Sequence, residues 1–294
     1  MTVTRAAQPA PPVGYRLKDV VRSEVVKILT LRSTAFTLGV TVLAVLAVTG
    51  LVSHAALGHS PDFYVGFDPT QTSLTGMVIA ALTGGVFGAL IITGEYSSGT
   101  IRTSLTATPR RAVLLVAKIG VTAAAVVVFC EILSFASFFL GQAILSAQQT
   151  PTAAQLQQSG QVALGPGGGN LLDHLSTHAS LGSPGALRAV WMTGLVIALL
   201  ALMAFGLGLI FRSTAGAIAG FAGITFVLPL VARPISHHLV RYIPTNILVN
   251  SVMTTTPNGG PFAPLSPPIG LLVTALYTLA ALMAGAALFT RRDA

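Results

Sequence analysis

Gly94-Glu95-Tyr96-Ser97-Ser98-Gly99-Thr100-Ile101-Arg102-Thr103-Ser104-Leu105-Thr106-Ala107-Thr108-Pro109-Arg110-Arg111 places four charges between two long apolar runs. Only 8% of the chain is charged, so a cluster of this kind marks a place where it leaves an apolar medium for water. The segment predicts a short helix. Ser98 can cap its start, Ile101 and Leu105 fall one turn apart on one face, and Pro109 stops it. Two readings stay open: a tight positive loop that fixes topology, or a docking helix presented to a soluble partner.

The flanking runs decide the class. With 53% hydrophobic residues and mean hydropathy +0.79, a chain of 294 residues has more apolar surface than a water-soluble core can bury. A spanning helix needs about 20 apolar residues, and lipid offers no partner to backbone polar groups. An all-α integral membrane protein with six transmembrane helices follows. The expected spans are Thr34–Ser53, Leu74–Thr93, Ile119–Leu140, Ala189–Phe211, Thr214–Ala232 and Ile269–Thr290. Only Arg212-Ser213 separates the fourth from the fifth, which makes them a tight hairpin.

Residues 1–14, rich in Ala and Pro, predict a disordered tail. Residues 15–33 predict an amphipathic interfacial helix. Leu17, Val20, Val21, Val25, Ile28 and Leu29 form its stripe, and Arg16, Lys18, Asp19, Arg22 and Lys27 face the headgroups. The six-span domain then fills 34–294, with a loop at 95–111 on one side and loops at 54–73, 145–184 and 233–268 on the other. The 145–184 loop is rich in Gln, Gly and Ser. The 233–268 loop carries seven prolines and predicts short helices dipping into the membrane.

Charge gives the orientation. Thirteen of the sixteen Lys and Arg residues fall on the side of the 95–111 loop and both termini; Arg188, Arg233 and Arg241 fall on the other. The positive-inside rule places the first side in the cytoplasm. The same rule accounts for the net charge of +8 without nucleic acid.

Catalytic chemistry finds little support. Lys18, Lys27 and Lys118, the only lysines, follow Leu, Val and Ala, so no Walker A phosphate loop exists and the chain is not expected to be an enzyme. The lone Cys130 sits in an apolar run. His174 and His178 have helical metal-pair spacing, but two ligands in a loop make no site, so no metal or cofactor is expected on this chain. Glu131, the one carboxylate inside a span, should face protein, with Thr83 at matching depth as its candidate partner. Gly84 and Gly88, and Gly216 and Gly220, have the spacing that permits close helix packing within a subunit or across a dimer.

Several stretches resemble one family. They are Ser23-Glu24-Val25-Val26-Lys27-Ile28-Leu29, Phe67-Asp68-Pro69, Glu95 to Arg102 through Pro109-Arg110-Arg111, Ala117-Lys118, Glu131 with Ser134-Phe135, and Thr214 to Ile218. The chain resembles the membrane permease subunits of ABC type-2 exporters, especially their short actinobacterial branch. The resemblance implies a homodimer or similar heterodimer, embedded in lipid, with two separately encoded ABC-type ATPase subunits that bind ATP and Mg. It also implies that Glu95, Gly99, Thr100, Ile101, Arg102, Leu105, Pro109, Arg110 and Arg111 form the coupling helix that meets the ATPase. An ion-coupled secondary transporter and a non-transporting assembly scaffold are the alternatives. The first normally carries several intramembrane charges, and this chain has one.

Overall fold

The computed structural model describes residues 17–30, 32–59, 63, 67–107, 111–147, 177–232, 234, 236–254 and 264–292. The expected tail, most of the Gln/Gly-rich loop, Pro109 and Arg110 lie outside the described residues. The elements are α1 (Leu17–Thr30), α2 (Arg32–Ala55), α3 (Pro69–Leu74), α4 (Met77–Ser97), α5 (Thr100–Ala107) and α6 (Arg111–Leu145). Beyond the long loop come α7 (Ala186–Phe211) and α8 (Thr214–Ala222), which runs through a π-helical turn (Gly223–Val227) into α9 (Leu228–Ala232). Short α10 (His237–Val240) and α11 (Pro244–Val252) lead to α12 (Pro267–Arg292). Six stretches are long and apolar enough to cross a membrane, and no strand occurs among the described residues.

α7 is the axis of the bundle. It packs on α4, α6, α8, α11 and α12, and 78% of its apolar window is buried, against 17% for α2 and for α12. Lipid-exposed helices derive no hydrophobic gain from meeting, so close backbone approach must supply the contact energy. The sequence provides it with small residues. A Cβ on Gly88 would stand 2.0 Å from the Ala201 carbonyl oxygen, and one on Gly84 would touch Ile197 and Ala201. Gly84 and Gly88 are therefore the α4–α7 contact within one subunit. Gly216 and Gly220 lie against Ser213 and Phe211 of their own hairpin.

Two spans begin well before their expected starts, and a third, the fifth, keeps its expected bounds but is irregular within them. The second begins at Pro69 rather than Leu74, because Asp68 caps α3 by accepting from the Thr70 and Gln71 N–H groups. The third, α6, runs 35 residues, about 52 Å, and overshoots a bilayer core of about 30 Å. The fifth is broken by its π-helical turn. Pro229 has no N–H to give the Thr225 carbonyl, which instead accepts from the Thr245 hydroxyl.

The α7–α8 hairpin is as tight as expected. Arg212 takes a left-handed conformation (φ 54°), and the Ser213 hydroxyl accepts from the Gly216 N–H. Arg212 also stacks over Tyr96, 5.5 Å from the ring centroid, at the end of α4. Phe289 of α12 packs with Ile101 of α5 and Leu115 of α6. The described ends of the chain and α5 thus share one end of the bundle.

Candidate functional site

That shared end holds the chain's described ion pairs. Lys118, on the second turn of α6, donates to Glu24 Oε2 of α1 at 2.5 Å and to Glu95 Oε1 of α4 at 2.6 Å. Lys27, one turn beyond Glu24, donates to Glu24 Oε1 at 2.8 Å and lies 3.4 Å from Glu95 Oε1. Its Nζ also reaches the Ser104 hydroxyl of α5 at 3.3 Å. The N-terminal helix and three consecutive later ones meet on two ammonium groups and two carboxylates.

The cluster is neutral and largely dry. Side-chain exposure is 3% for Lys118, 5% for Glu24 and 14% for Glu95; only Lys27, at 38%, meets solvent. Burial by itself would raise the Glu24 pKa, but the Lys118 and Lys27 charges and hydrogen bonds outweigh it and hold the carboxyl below its ordinary range. Burial likewise pulls Lys27 down, while Glu24 and Glu95 together carry it above the usual ammonium value. Both shifts favour the charged forms of Glu24 and Lys27.

α1 is positioned by this cluster. Val20 and Glu24 are its buried residues, and Val20 packs with Leu114 and Ala117 of α6. Leu17, Val26 and Leu29 are exposed. The sequence placed Lys27 on a headgroup face; it points instead into the ion cluster. The face toward the protein is thus the Val20–Glu24–Lys27 line, and the apolar stripe is split between protein and surroundings.

α5 is mounted on the same base. Ser98 does not open it. Its hydroxyl bonds back to the Gly94 carbonyl and closes α4, and Gly99 (φ 71°) makes the turn between the helices. Ile101 does not point outward either: it is 7% exposed, in a cluster with Ile92, Leu115, Phe205, Leu209 and Phe289. Its apolar side chain anchors α5 to the bundle, while Gly99, Thr100 and Thr103 are exposed. The side chains of Arg102, Leu105 and Arg111 lie outside the described residues.

At the other end, Asp68 Oδ2 accepts from the Thr254 N–H and hydroxyl, each at 2.8 Å, and ties α3 to the chain leaving α11. Gln142 of α6 donates to the Pro69 carbonyl and the Ser73 hydroxyl. Between the two ends Glu131 is 8% exposed on α6, pressed against Gly194 of α7, where a Cβ would lie 2.7 Å from its carboxyl carbon. Neither Glu131 oxygen has a hydrogen-bond partner among the described residues. Thr83, the expected partner, donates to the Ile79 carbonyl of its own helix.

Sequence reading missed the Glu24–Lys118 pairing. A signal existed. Acids are few, and Glu24 and Glu95 both stand at the edge of apolar surroundings, where a carboxylate needs a cation.

Five apolar spans around a sixth, central one, with a short helix carried on a charged mount at one end, make a polytopic helical membrane domain. Residues 20–165, from α1 through α6 and into the following loop, match the model of the family described as ABC-2 family transporter protein. The chain belongs to that family as an ABC type-2 membrane permease. No curated protein matches it. Membership brings two properties: the family's membrane domain has no ATP-binding motif of its own, and it works with an ABC ATPase subunit.

Proposed function

We propose that the chain is the permease half of an exporter whose separate ATPase subunits drive it through α5. The observation that carries this reading is the mount. α5 is fixed by Ile101 and Ser104 to helices that enter the bundle, while its other side is exposed. A push on α5 would pass through Glu95 and Lys118 into α4 and α6, the helices that pack on the α7 axis. Two permease copies and two ATPase subunits, the latter holding ATP and Mg, would complete the transporter. The α5 end and both termini would face the cytoplasm of a bacterial plasma membrane, as the distribution of basic residues supports.

The test is co-purification with an ABC-type ATPase subunit co-expressed with this chain. Thr100→Trp with Thr103→Trp adds bulk to the exposed face and should abolish ATPase retention without altering the permease's own melting. ATPase recovery equal to the parent's would overturn the reading. Single cysteines at Thr103 and Thr254, in a Cys130→Ala background, test the orientation. An impermeant thiol reagent added to intact cells should label only the second.

A further inference from the structure

We infer that the chain binds an anionic membrane lipid, with one acyl chain in a cavity beside the π-helical turn and the headgroup on Arg241. The cavity measures about 430 Å³ and lies between Met203 and Leu207 of α7, Ile224 and Leu228 of the fifth span, and Tyr277 and Ala280 of α12. That volume is within the range of ligand pockets. Its origin is the same break that gives the turn: Pro229 cannot complete the helix, the π-helical residues widen it, and Thr245 of α11 takes the released Thr225 carbonyl. The wall is almost wholly apolar. Ile224, Leu228, Leu239 and Tyr277, which line it, are exposed, so it opens onto the bundle's apolar outer surface.

The rim adds the polar half of an amphiphile site. Tyr242 lines the cavity, and the Arg241 guanidinium stacks 5.0 Å from its ring centroid and donates to its hydroxyl at 3.1 Å. Arg241 Nε is buried without a hydrogen-bond partner, and Arg241 pairs with no carboxylate among the described residues. Arg241 lies in the segment entering α11, at the end that carries Asp68 and Thr254 and away from the Lys118 mount. A chain entering this cavity from lipid exchanges one apolar medium for another, so selectivity must come from the headgroup. An uncompensated guanidinium beside an apolar cavity selects a negative one. The inference rests on the membrane-spanning reading of the six helices and is independent of ATPase coupling.

The experiment uses the purified full chain in phosphatidylcholine nanodiscs, without ATPase or nucleotide. Trace phosphatidylglycerol or phosphatidylcholine, each with a diazirine on the acyl chain, is photolysed and the labelled peptides are mapped. The phosphatidylglycerol probe should label the segment Ser213–Arg241 about fivefold more than the phosphatidylcholine probe, the preference expected from one basic residue. Arg241→Gln should bring the ratio to about one by the same reasoning, and Ala280→Phe should lower labelling by both probes. Should Ala280→Phe misfold, competition on the parent protein decides: unlabelled phosphatidylglycerol should displace the probe and phosphatidylcholine should not. Equal labelling by the two probes, a ratio unchanged in Arg241→Gln, or label confined to other peptides would overturn the inference. So would Tyr277→Cys cross-linking between two chains with no lipid label, which would make the cavity a subunit contact. None of these results bears on ATPase retention by α5.

Discussion

Lys118→Met isolates the ion cluster from everything else the first turns of α6 do, because the replacement keeps length and volume and removes only the charge. Lys118 is 3% exposed and serves two carboxylates at 2.5 and 2.6 Å. Removing one partner of a buried ion pair costs about 3–5 kcal/mol, because the other charge stays desolvated. Lys27 remains 2.8 Å from Glu24 and is partly solvated, so the lower end of about 3 kcal/mol is expected here. The cheapest escape for Glu24 is to carry α1 away from α6 into water. A Val20→Cys thiol in a Cys130→Ala background reports that step, since Val20 is buried against Leu114 and Ala117. About 3 kcal/mol corresponds to roughly a hundredfold rise in the undocked population and in labelling rate. Adding Glu24→Gln should recover most of the protection, because the stranded charge is gone. A labelling rate in Lys118→Met within twofold of the parent, or a double variant no better protected, would refute the mount.

Relative to a fully exposed control thiol, whose rate carries the pH dependence of the thiolate itself, the same thiol should show a flat pH profile with two edges. Glu24 lies below its ordinary 4.5, so its contribution is complete above that pH and fades as pH falls through the lowered value. Lys27 lies above 10.5, so its contribution is complete below that pH and fades as pH rises through the raised value. Exposure that changes between pH 5 and 10 would count against the cluster. Ile101→Asp should lower the permease's own melting temperature even without ATPase, because it buries a carboxylate among Ile92, Leu115 and Phe289. Glu131→Leu should stabilise the bundle by about 1–3 kcal/mol, since no described hydrogen bond is lost and a buried carboxyl is removed; a lower melting temperature would show an undescribed partner. Gly88→Ala should destabilise through the Ala201 backbone, whereas Gly120→Ala, with open space around it, should be neutral in the same melting assay.

The six spans, the short helix after the second and the tight α7–α8 hairpin were legible because one-dimensional pattern suffices for them. A bilayer imposes length and apolarity on each span separately, and Gly99 and Arg212-Ser213 leave the chain few ways to turn. The family was legible in the residues from Glu24 to Lys118 for the same local reason. What pairs with what was not. Lys27 reads as solvent-facing on an isolated α1, and only Glu95 of α4 and Ser104 of α5 make the inward position favourable. Ile101 reads as an outward knob in a helix considered alone, and as an anchor once Phe205 and Phe289 are in place beside it. Glu131 and Thr83 match in depth, yet depth says nothing of azimuth; rotation of α6 puts the carboxylate against Gly194 of α7 instead. The cavity beside α12 has no linear signature at all beyond Pro229. Composition and periodicity act within one helix, while ion pairing, close packing and voids are set by how several helices are rotated about their axes, and only the assembled bundle determines that.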